Sequence, residues 1–363
     1  MSGRRILISP LNWGFGHAGR MIPLALELKK RGHEITFGVD KGLIHALEKD
    51  LIDIIIIPIP GIRVRYSRVV PQYLCIFLQL PLLIISAFRE HAALKRIVSK
   101  LKPDIVISDN RFGFFHSDVY SVFVTHQLRI AFPRFLRFLE PVAVWLNRQI
   151  ISRYDMCLVP DYPGKVNLSG RLSHDVKLPE NVFYTGPLSR FRIADKGETF
   201  MNLPPNYYCL ILSGPEPQRS LLFKKVSSVL QGIHLVVLSG TPLISDLKDR
   251  SGITVITNPD TATMRHAITG SKTVISRAGY TSVMELVSLG KGGVIIPTPG
   301  QTEQEYLGQY LNGRYGFVAL KQNNLSGLKE ACQNAEVKAS AGFPDSQALF
   351  EEAVMHLLDQ KKK

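Results

Sequence analysis

The chain has 363 residues, 45% of them hydrophobic, which is enough for two domains that each bury a core. Its formal net charge of +14 favours an anionic partner. Because the sequence has no zinc-finger spacing, RNP-type aromatic motif or helix-turn-helix pattern, an anionic membrane surface is preferred to nucleic acid. The four cysteines form no C-x-x-C pair, so neither a disulfide framework nor a zinc site is predicted: Cys75, Cys157, Cys209 and Cys332. No signal-peptide pattern precedes the first apolar run, and we expect a cytoplasmic protein.

The first predicted strand is residues 6–9, and a glycine-rich turn at residues 10–20 follows it. Apolar residues at helical spacing, including Leu24 and Leu28, then predict an amphipathic helix. Three glycines of the turn come close to the dinucleotide-binding fingerprint without matching it: Gly14, Gly16 and Gly19. Since the next strand ends in Asp40, a Rossmann dehydrogenase stays open as an alternative.

A histidine and an aspartate follow two of the predicted strands. His17 lies in the glycine-rich turn, and Asp109 ends the strand predicted at residues 103–110. A lone histidine is more often structural than catalytic, although an imidazole with an ordinary pKa of about 6.5 can accept a hydroxyl proton at neutral pH. Asp109 either orients His17 by accepting from its second ring nitrogen or caps the turn that follows.

Two segments of the first half combine arginines with large apolar residues. Residues 73–85 follow Arg63, Arg65 and Arg68, and they are too short to cross a bilayer, so a buried helix and an interfacial helix are both open. Residues 129–153 contain five arginines and one glutamate among aromatic and aliphatic residues. A core helix with solvated arginines is the alternative there, and an anionic membrane surface is favoured.

The remaining strands of the first half indicate a doubly wound sheet. The isoleucine-rich run at residues 53–58 predicts a central parallel strand that is buried on both faces. The strand at residues 122–124 leads into His126 and Gln127, and further strands are predicted at 155–160 and 183–188. The polar, proline-containing stretch 189–205 is the predicted linker. We therefore expect a first domain at residues 1–188, a second at 206–340 and a last helix at 341–363.

The second half repeats the alternation of strands and turns. Residues 208–212 form a predicted strand that ends at Ser213 and Gly214, with Arg219 close behind as a possible phosphate contact. Further strands are predicted at 234–240 and 254–258, and a short helix at 263–268.

The stretch 276–311 contains two further loops that follow strands. The strand at 273–276 ends in Arg277 and Gly279, and a helix with Thr281 or Ser282 as its N-cap follows. Such a helix end attracts anions. One turn into the helix, Glu285 can accept from a pair of sugar hydroxyls. The next strand, 293–296, is followed by a polar loop that holds Gln301, Glu303, Gln304 and Glu305. Both loops lie at the carboxyl ends of strands, where a phosphate-bearing, hydroxyl-rich ligand fits.

This motif resembles the donor-binding motif of inverting nucleotide-sugar glycosyltransferases of the GT-B fold, the group that includes the peptidoglycan N-acetylglucosaminyltransferase and the UDP-glucuronosyltransferases. The resemblance implies two Rossmann-like α/β domains that face each other across a cleft, with the last helix crossing back onto the first domain. It implies that Glu285 binds the ribose and that Gln304 with Glu305 binds the donor hexose. The diphosphate would be held by six residues: Ser213, Gly214, Gly279, Tyr280, Thr281 and Ser282. Arg277 and Gln301 are further donor-binding residues that the resemblance implies. The family more often has Asp-Gln or Gln-Gln at the last pair, which leaves the sugar open.

In the first domain, the same resemblance implies that His17 is the general base or an acceptor-phosphate contact. It also implies that four residues line the acceptor site: Gly14, Gly16, His126 and Gln127. The expected reaction moves a hexose from a UDP-sugar to a lipid-linked or cell-envelope glycan with inversion, without a metal or another cofactor. A UDP-sugar epimerase of the same fold and a non-catalytic sugar-nucleotide sensor are the alternatives. We expect an anionic membrane surface, and no nucleic acid, as a further partner.

Overall fold

A computed structural model describes residues 3–61, 72–192, 202–241, 252–335 and 342–360. Three predicted features therefore lie outside the described residues: the arginines at 63, 65 and 68, most of the predicted linker, and the lysines at 361–363. The chain divides into two compact units. The first comprises Met1–Arg65, Ile76–Arg190 and Phe343–Lys363, and the second comprises Tyr66–Cys75 and Phe191–Gly342.

The described residues form two parallel sheets. The seven strands of the first unit are β1 (Arg5–Pro10), β2 (Glu34–Val39), β3 (Ile55–Pro58), β4 (Ile105–Asp109), β5 (Tyr120–Val124), β6 (Met156–Val159) and β7 (Val182–Tyr184). The six strands of the second unit are β8 (Tyr208–Leu212), β9 (Leu235–Ser239), β10 (Ile253–Thr257), β11 (Thr273–Ser276), β12 (Gly293–Ile295) and β13 (Phe317–Ala319).

Helices connect most of these strands. They are α1 (Phe15–Lys30), α2 (Lys41–Leu47), α3 (Gln72–Leu78), α4 (Leu80–Leu101), α5 (Glu140–Ile151), α6 (Gln218–Val229), α7 (Thr261–Thr269), α8 (Tyr280–Ser288), α9 (Thr302–Leu311), α10 (Leu328–Asn334) and α11 (Ser346–Asp359). Short 3₁₀ helices occupy Arg134–Leu139, Gly170–Leu172 and Arg190–Arg192.

Both sheets reverse their strand order near the middle. The first has the order β3-β2-β1-β4-β5-β6-β7, and the second has the order β10-β9-β8-β11-β12-β13. Right-handed crossovers from such a reversal place helices on both faces of a sheet, and ligands bind beside the reversal at the carboxyl ends of the strands. The predicted fold class of two Rossmann-like α/β domains is confirmed.

The core of the first unit shows which helices cover which face. Ile6 and Ile8 pack with residues of α1 and with α11, whose Phe350 and Leu357 are buried. Leu7, which points to the opposite face, packs with Leu94 of α4. Leu7 pairs with Val106 of β4, and the same face continues to Phe123 of β5 and Cys157 of β6. These last two residues pack with Ile151 at the end of α5. Helices α4 and α5 therefore share one face of the sheet, and α1 and α11 share the other.

One strand prediction is wrong in its position. The isoleucine-rich run at 53–58 does not form a central strand, because β3 is the edge strand of its sheet and pairs with β2 on one side. Ile55 is consequently 57% exposed. A continuous apolar run indicates a strand, but it does not reveal whether that strand has one neighbour or two.

The two arginine-rich apolar segments are not core helices. In α4 the buried residues are Glu90 and Leu94, and five large apolar residues that precede them are exposed: Leu80, Leu82, Ile84, Ile85 and Phe88. The 3₁₀ helix Arg134–Leu139 and α5 likewise expose Phe135, Phe138, Val142, Trp145 and Leu146. Among the described residues, no helix has the length and hydropathy that a membrane crossing requires.

Candidate active site

The first group of candidate residues lies where the strand order of the first sheet reverses. Strands β1 and β4 are neighbours, and Pro10 of β1 pairs with Asp109 at the end of β4. Between β1 and α1 the chain turns at Gly14, whose φ of 109° lies in the left-handed region that favours glycine. Because α1 begins at Phe15, the prediction that His17 lies in the turn is wrong. His17 is in the first turn of the helix.

His17 and Asp109 meet at this edge of the sheet. Nδ1 of His17 is 3.0 Å from Oδ2 of Asp109, whose side chain is fully buried, whereas the His17 side chain is 19% exposed. The carboxylate contacts two side chains of α1, and none of its hydrogen bonds in the described structure goes to the turn that follows β4. Two roles were predicted for Asp109, and the geometry supports the one in which it orients His17.

Sequence reasoning missed Arg20, the second partner of Asp109. Its Nε donates to Oδ2 over 2.8 Å, and its Nη2 donates to Oδ1. Arg20 is 1% exposed, so the two side chains form a buried bidentate ion pair. Burial raises the pKa of Asp109, but the charges of Arg20 and His17 outweigh it and lower the pKa to about 2. The available signal was the spacing, since residues three apart share a helix face.

The neighbours of the two histidines indicate their tautomers. Nη1 of Arg20 lies 3.0 Å from Nδ1 of His126, and because a guanidinium only donates, that nitrogen must accept. Nδ1 of His17 lies 3.0 Å from the Asp109 carboxylate and 3.1 Å from Nη2 of Arg20. The shorter contact is to an ionised acceptor, so we assign the Nδ1 proton of His17 to the bond with Asp109. The lone pair of His17 is then on Nε2.

The other predicted acceptor residues surround this network. Gly16 is in the first turn of α1, directly before His17. His126 is 4% exposed, and its carbonyl accepts from Ser173 over 2.6 Å. The carbonyl of Gln127 accepts from Nδ2 of Asn147 over 2.8 Å. The loop after β5 is thus held by groups that lie far along the chain.

Three buried donors near this edge have no hydrogen-bond partner within the described part of the chain: Nδ2 of Asn12, Nε1 of Trp13 and Nη2 of Arg111. Arg111 is fully buried and donates through Nη1 to Glu90 over 3.2 Å and through Nε to the Pro10 carbonyl over 2.8 Å. Burial lowers the pKa of Arg111 although nearby carboxylates oppose the shift. Sequence reasoning did not single out any of the three.

In the second unit, the loop after β8 contains Ser213 and Gly214, both exposed. Gly214 has φ of 89°, which turns the chain toward α6. Arg219 lies in the first turn of α6, and it pairs with Glu216 through an Nη2–Oε1 distance of 2.7 Å. It also donates to Thr241. The charge that was predicted to contact a phosphate is therefore largely compensated by Glu216.

The loop after β11 leads into α8. The helix begins at Tyr280, and its N-cap is Gly279, with φ of −78° and no side-chain cap. The prediction of Thr281 or Ser282 as the N-cap is wrong. Both residues lie in the first turn, because the chain enters the helix directly after the short turn at Ala278 and Gly279. Without a capping side chain, the positive end of α8 can receive an anion.

Arg277 joins the loops of this unit. Its side chain is 2% exposed, and it donates to the carbonyl of Gln218 over 2.6 Å and to that of Ile296 over 3.3 Å. Within the described residues no carboxylate pairs with it. Burial lowers the pKa of Arg277 to about 10, which leaves it charged at neutral pH. The guanidinium therefore places an uncompensated positive charge beneath the ends of β8, β11 and β12.

The predicted ribose and hexose ligands lie on α8 and α9. Glu285 is 6% exposed. Gln301 is the N-cap residue of α9 and makes no side-chain cap. Oε1 of Gln304 accepts from the amide of Thr298, and Oε1 of Glu305 accepts from the amide of Gly300, both over 2.8 Å. These two bonds tie the side chains of Gln304 and Glu305 to the loop after β12.

Known glycosyltransferases are similar to this chain in sequence and in fold. Residues 226–360 match the glycosyltransferase family 28 C-terminal domain. An uncharacterized glycosyltransferase of Methanosarcina mazei is 26% identical over 319 residues, which cover 83% of this chain and 82% of the relative. The spinosyn rhamnosyltransferase complexed with thymidine diphosphate superposes with a TM-score of 0.65 at 13% identity, covering 98% of this chain and 100% of that one.

The protein has the GT-B fold. The resemblance to GT-B glycosyltransferases that was drawn from the sequence is confirmed, and the family match and the relatives support a transferase. A putative UDP-N-acetylglucosamine 2-epimerase from Listeria monocytogenes has the same fold, with a TM-score of 0.63 at 15% identity over 100% of this chain and 99% of that one. At these identities the structural matches establish the fold alone.

Proposed function

We propose that this GT-B protein transfers a hexose from a UDP-sugar to a lipid-linked or cell-envelope glycan, with inversion at the anomeric carbon and without a metal ion. The observation that carries the proposal is the buried Asp109 carboxylate, which fixes Nδ1 of His17 and leaves Nε2 as the base. Nucleotide-sugar binding is supported by two structural neighbours, a rhamnosyltransferase complexed with thymidine diphosphate and a putative UDP-N-acetylglucosamine 2-epimerase.

In the proposed reaction, Nε2 of His17 accepts the proton of the acceptor hydroxyl while that oxygen attacks the anomeric carbon of the donor. The bond between that carbon and the diphosphate oxygen breaks, and UDP leaves with the bonding electrons. Asp109 stabilises the imidazolium that forms, since its pKa of about 2 keeps it ionised. The acceptor oxygen thus becomes bonded on the side opposite the departing diphosphate.

The second unit supplies the groups that would hold UDP. The uncapped end of α8 and the charge of Arg277 favour the diphosphate. Glu285 would accept from the ribose hydroxyls, while Gln304 and Glu305 would contact the hexose. A positive helix end and a buried guanidinium can stabilise a leaving diphosphate in the way that a cation does elsewhere, so we propose that EDTA leaves the rate unchanged.

An exposed surface of the first unit supports the proposal of membrane association. We define the apolar surface as Leu80, Leu82, Ile84, Ile85 and Phe88 of α4 with Phe135, Phe138, Val142, Trp145 and Leu146. Four exposed arginines are interleaved with it: Arg89, Arg134, Arg137 and Arg148. Glu140 is 4% exposed and is engaged by Arg129 and Arg171, so it does not offset those charges at the surface.

The apolar surface lies toward the edge of the sheet that carries His17. Helices α4 and α5 lead into strands β4 and β6 and share one sheet face, so their first halves lie toward the carboxyl ends of the strands. Ala87 packs on Gly113 in the loop after β4, where an added Cβ would come within 2.0 Å of the Ala87 carbonyl oxygen. An acceptor anchored in the inner leaflet of a cytoplasmic membrane would then reach His17. We therefore propose a peripheral membrane protein.

The epimerase alternative is kept because a putative UDP-N-acetylglucosamine 2-epimerase superposes as well as the transferases do. The deciding experiment incubates the protein with UDP-glucose or UDP-N-acetylglucosamine and an extract of membrane glycolipids, and measures free UDP. We expect UDP release that depends on the extract and falls by roughly 10²–10⁴ in His17→Ala. His45→Ala, on the exposed surface of α2, is the matched control and should retain full activity.

Two results would contradict the proposal in different ways. Conversion of the UDP-sugar to its epimer without the extract would favour the epimerase. Full transfer by His17→Ala would remove His17 from the mechanism. Flotation with vesicles tests the membrane part separately, since binding that ignores both lipid charge and salt would count against an anionic surface.

A further inference from the structure

A cavity of the first unit, separate from the network of His17 and Asp109, has a basic lining. Its volume is about 460 Å³, and six residues line it: His91, Lys95, Phe115, His116, Ser117 and Arg153. None of the six is a carboxylate, and none belongs to the network of His17 and Asp109. Among the described residues, no acidic side chain pairs with Lys95 or Arg153. The size is in the ordinary range for small-molecule sites, and the charge selects an anion.

The residues of the cavity hold one another in fixed positions. Nδ1 of His91 donates to the Gly113 carbonyl over 3.2 Å, and the His91 ring lies 5.0 Å from the Phe115 ring. Phe115 packs edge-on against the buried Tyr154 at 5.5 Å. The Arg153 guanidinium lies 5.9 Å from the centre of the Phe115 ring, within reach of a cation–π contact. Phe115 therefore lies between the His91 ring and the Arg153 guanidinium.

The hydrogen bonds of His116 determine which donor it offers. Its Nδ1 accepts from the backbone amide of Asp118 over 3.1 Å, so the proton of the neutral ring is on Nε2. The Asp118 carboxylate accepts from the Ser117 hydroxyl over 2.8 Å. Nε2–H of His116, the Lys95 ammonium and the Arg153 guanidinium are then three donors for one anionic group. Phosphate oxygens match this set, since each accepts more than one hydrogen bond.

The cavity adjoins the apolar surface along α4. Ile84, Phe88, His91 and Lys95 are spaced i, i+4, i+7 and i+11, so they form one stripe of the helix. Its first two members are exposed hydrophobic residues, with Phe88 74% exposed, and its last two line the cavity. The stripe thus changes from apolar residues to His91 and the positively charged Lys95 within three turns. A phospholipid likewise has an apolar part, its acyl chains, followed by an anionic phosphate that would lie beside the polar end of the stripe.

We infer that this cavity binds the phosphate of an anionic membrane lipid, whose acyl chains lie along Ile84 and Phe88. The inference rests on the proposed membrane location and adds a specific headgroup site to it. Such a site would select phosphate-monoester lipids such as phosphatidic acid, because they carry more charge and more free oxygens than a zwitterionic headgroup. It would also fix the orientation of the first unit on the bilayer.

The test measures flotation of the full chain with vesicles of phosphatidylcholine, alone or with phosphatidic acid. The variant Lys95→Gln/Arg153→Gln removes two charges from the cavity, and Arg96→Gln/Lys100→Gln removes two charges from exposed positions of α4 outside it. We expect the cavity variant to bind phosphatidic acid vesicles about tenfold more weakly and the control variant to change by less than about threefold. Tryptophan fluorescence melting checks that all variants remain folded.

Three outcomes would overturn the inference. Equal losses in both variants would mean that net charge alone drives binding. If millimolar glycerol phosphate abolished vesicle binding, and vesicles with phosphatidic acid bound no better than those without it, the cavity would be assigned to a soluble phosphate. No flotation with any vesicle would remove the membrane location and the lipid site together. The transferase proposal is measured separately by UDP release in solution, so its failure is distinguishable from each of these results.

Discussion

Replacing Asp109 with asparagine should destabilise the first unit and make its stability less sensitive to acid. The variant keeps the shape of the side chain but leaves Arg20 charged and unpaired in a site where the two partners are 0% and 1% exposed. Removing one partner of a buried ion pair costs roughly 3–5 kcal/mol. Part of this loss of stability depends on the ionisation of Asp109. Lowering its pKa from 3.8 to about 2 on folding corresponds to roughly 2 kcal/mol of unfolding free energy.

The pH dependence follows from the direction of that shift. Because the pKa of Asp109 is lower in the folded state, its contribution is complete above the unfolded value of 3.8 and disappears as the pH falls toward about 2. The wild type should therefore lose this stability between those two pH values, and Asp109→Asn should not. The difference in unfolding free energy between the two proteins should narrow across the same range.

The assay is urea unfolding followed by tryptophan fluorescence. The chain has 2 tryptophans, Trp13 and Trp145, and both lie in the first unit, so the signal reports the unit that contains Asp109. The double variant Arg20→Leu/Asp109→Leu removes both charges and should be more stable than Asp109→Asn alone. The reasoning would be refuted if Asp109→Asn lost less than about 1 kcal/mol and its stability ran parallel to that of the wild type in acid.

Three further predictions concern the second unit. Arg277→Met should raise the Kd for UDP about tenfold by calorimetry, because it removes the positive charge beneath the strand ends; an unchanged Kd would exclude a role for that charge. Glu285→Gln should abolish a preference for UDP over dTDP in the same assay, since the second nucleotide lacks the ribose 2′-hydroxyl, and a retained preference would place the ribose elsewhere. Gly293→Ala should lower the Tm by several degrees, because its Cβ would lie 2.4 Å from the Val274 carbonyl oxygen; Gly327→Ala, with open space around it, is the control.

Local patterns in the sequence predicted most of the individual elements. Period-2 and continuous apolar runs located strands such as β1, β4 and β11, and helical spacing located α1 and α8. The strand and turn alternation also predicted the doubly wound architecture. These features depend on residues close together in the chain, so a single sequence contains the information. The edge position of β3 was missed because it depends on which strands become neighbours.

The candidate site was predicted in its parts but not in its connections. His17 and Asp109 were each recognised at the end of a strand, and their contact follows from the pairing of β1 with β4. Arg20 was overlooked because it lies 89 residues from Asp109 along the chain, although its charge neutralises that carboxylate. In the second unit, Arg277 was predicted to bind the donor, and only the structure revealed that it also donates to the carbonyls of two loops.

The sequence by itself determined the order of strands and helices, the glycine-bearing turns and the chemistry available at the strand ends. Only the tertiary structure decided that the apolar residues of α4 and α5 are exposed and that Asp109 is shared by His17 and Arg20. The physical reason is the separation along the chain of the residues that produce each effect. Periodicity and turn chemistry act over a few residues, whereas burial and charge compensation depend on side chains that strand pairing brings together from distant segments.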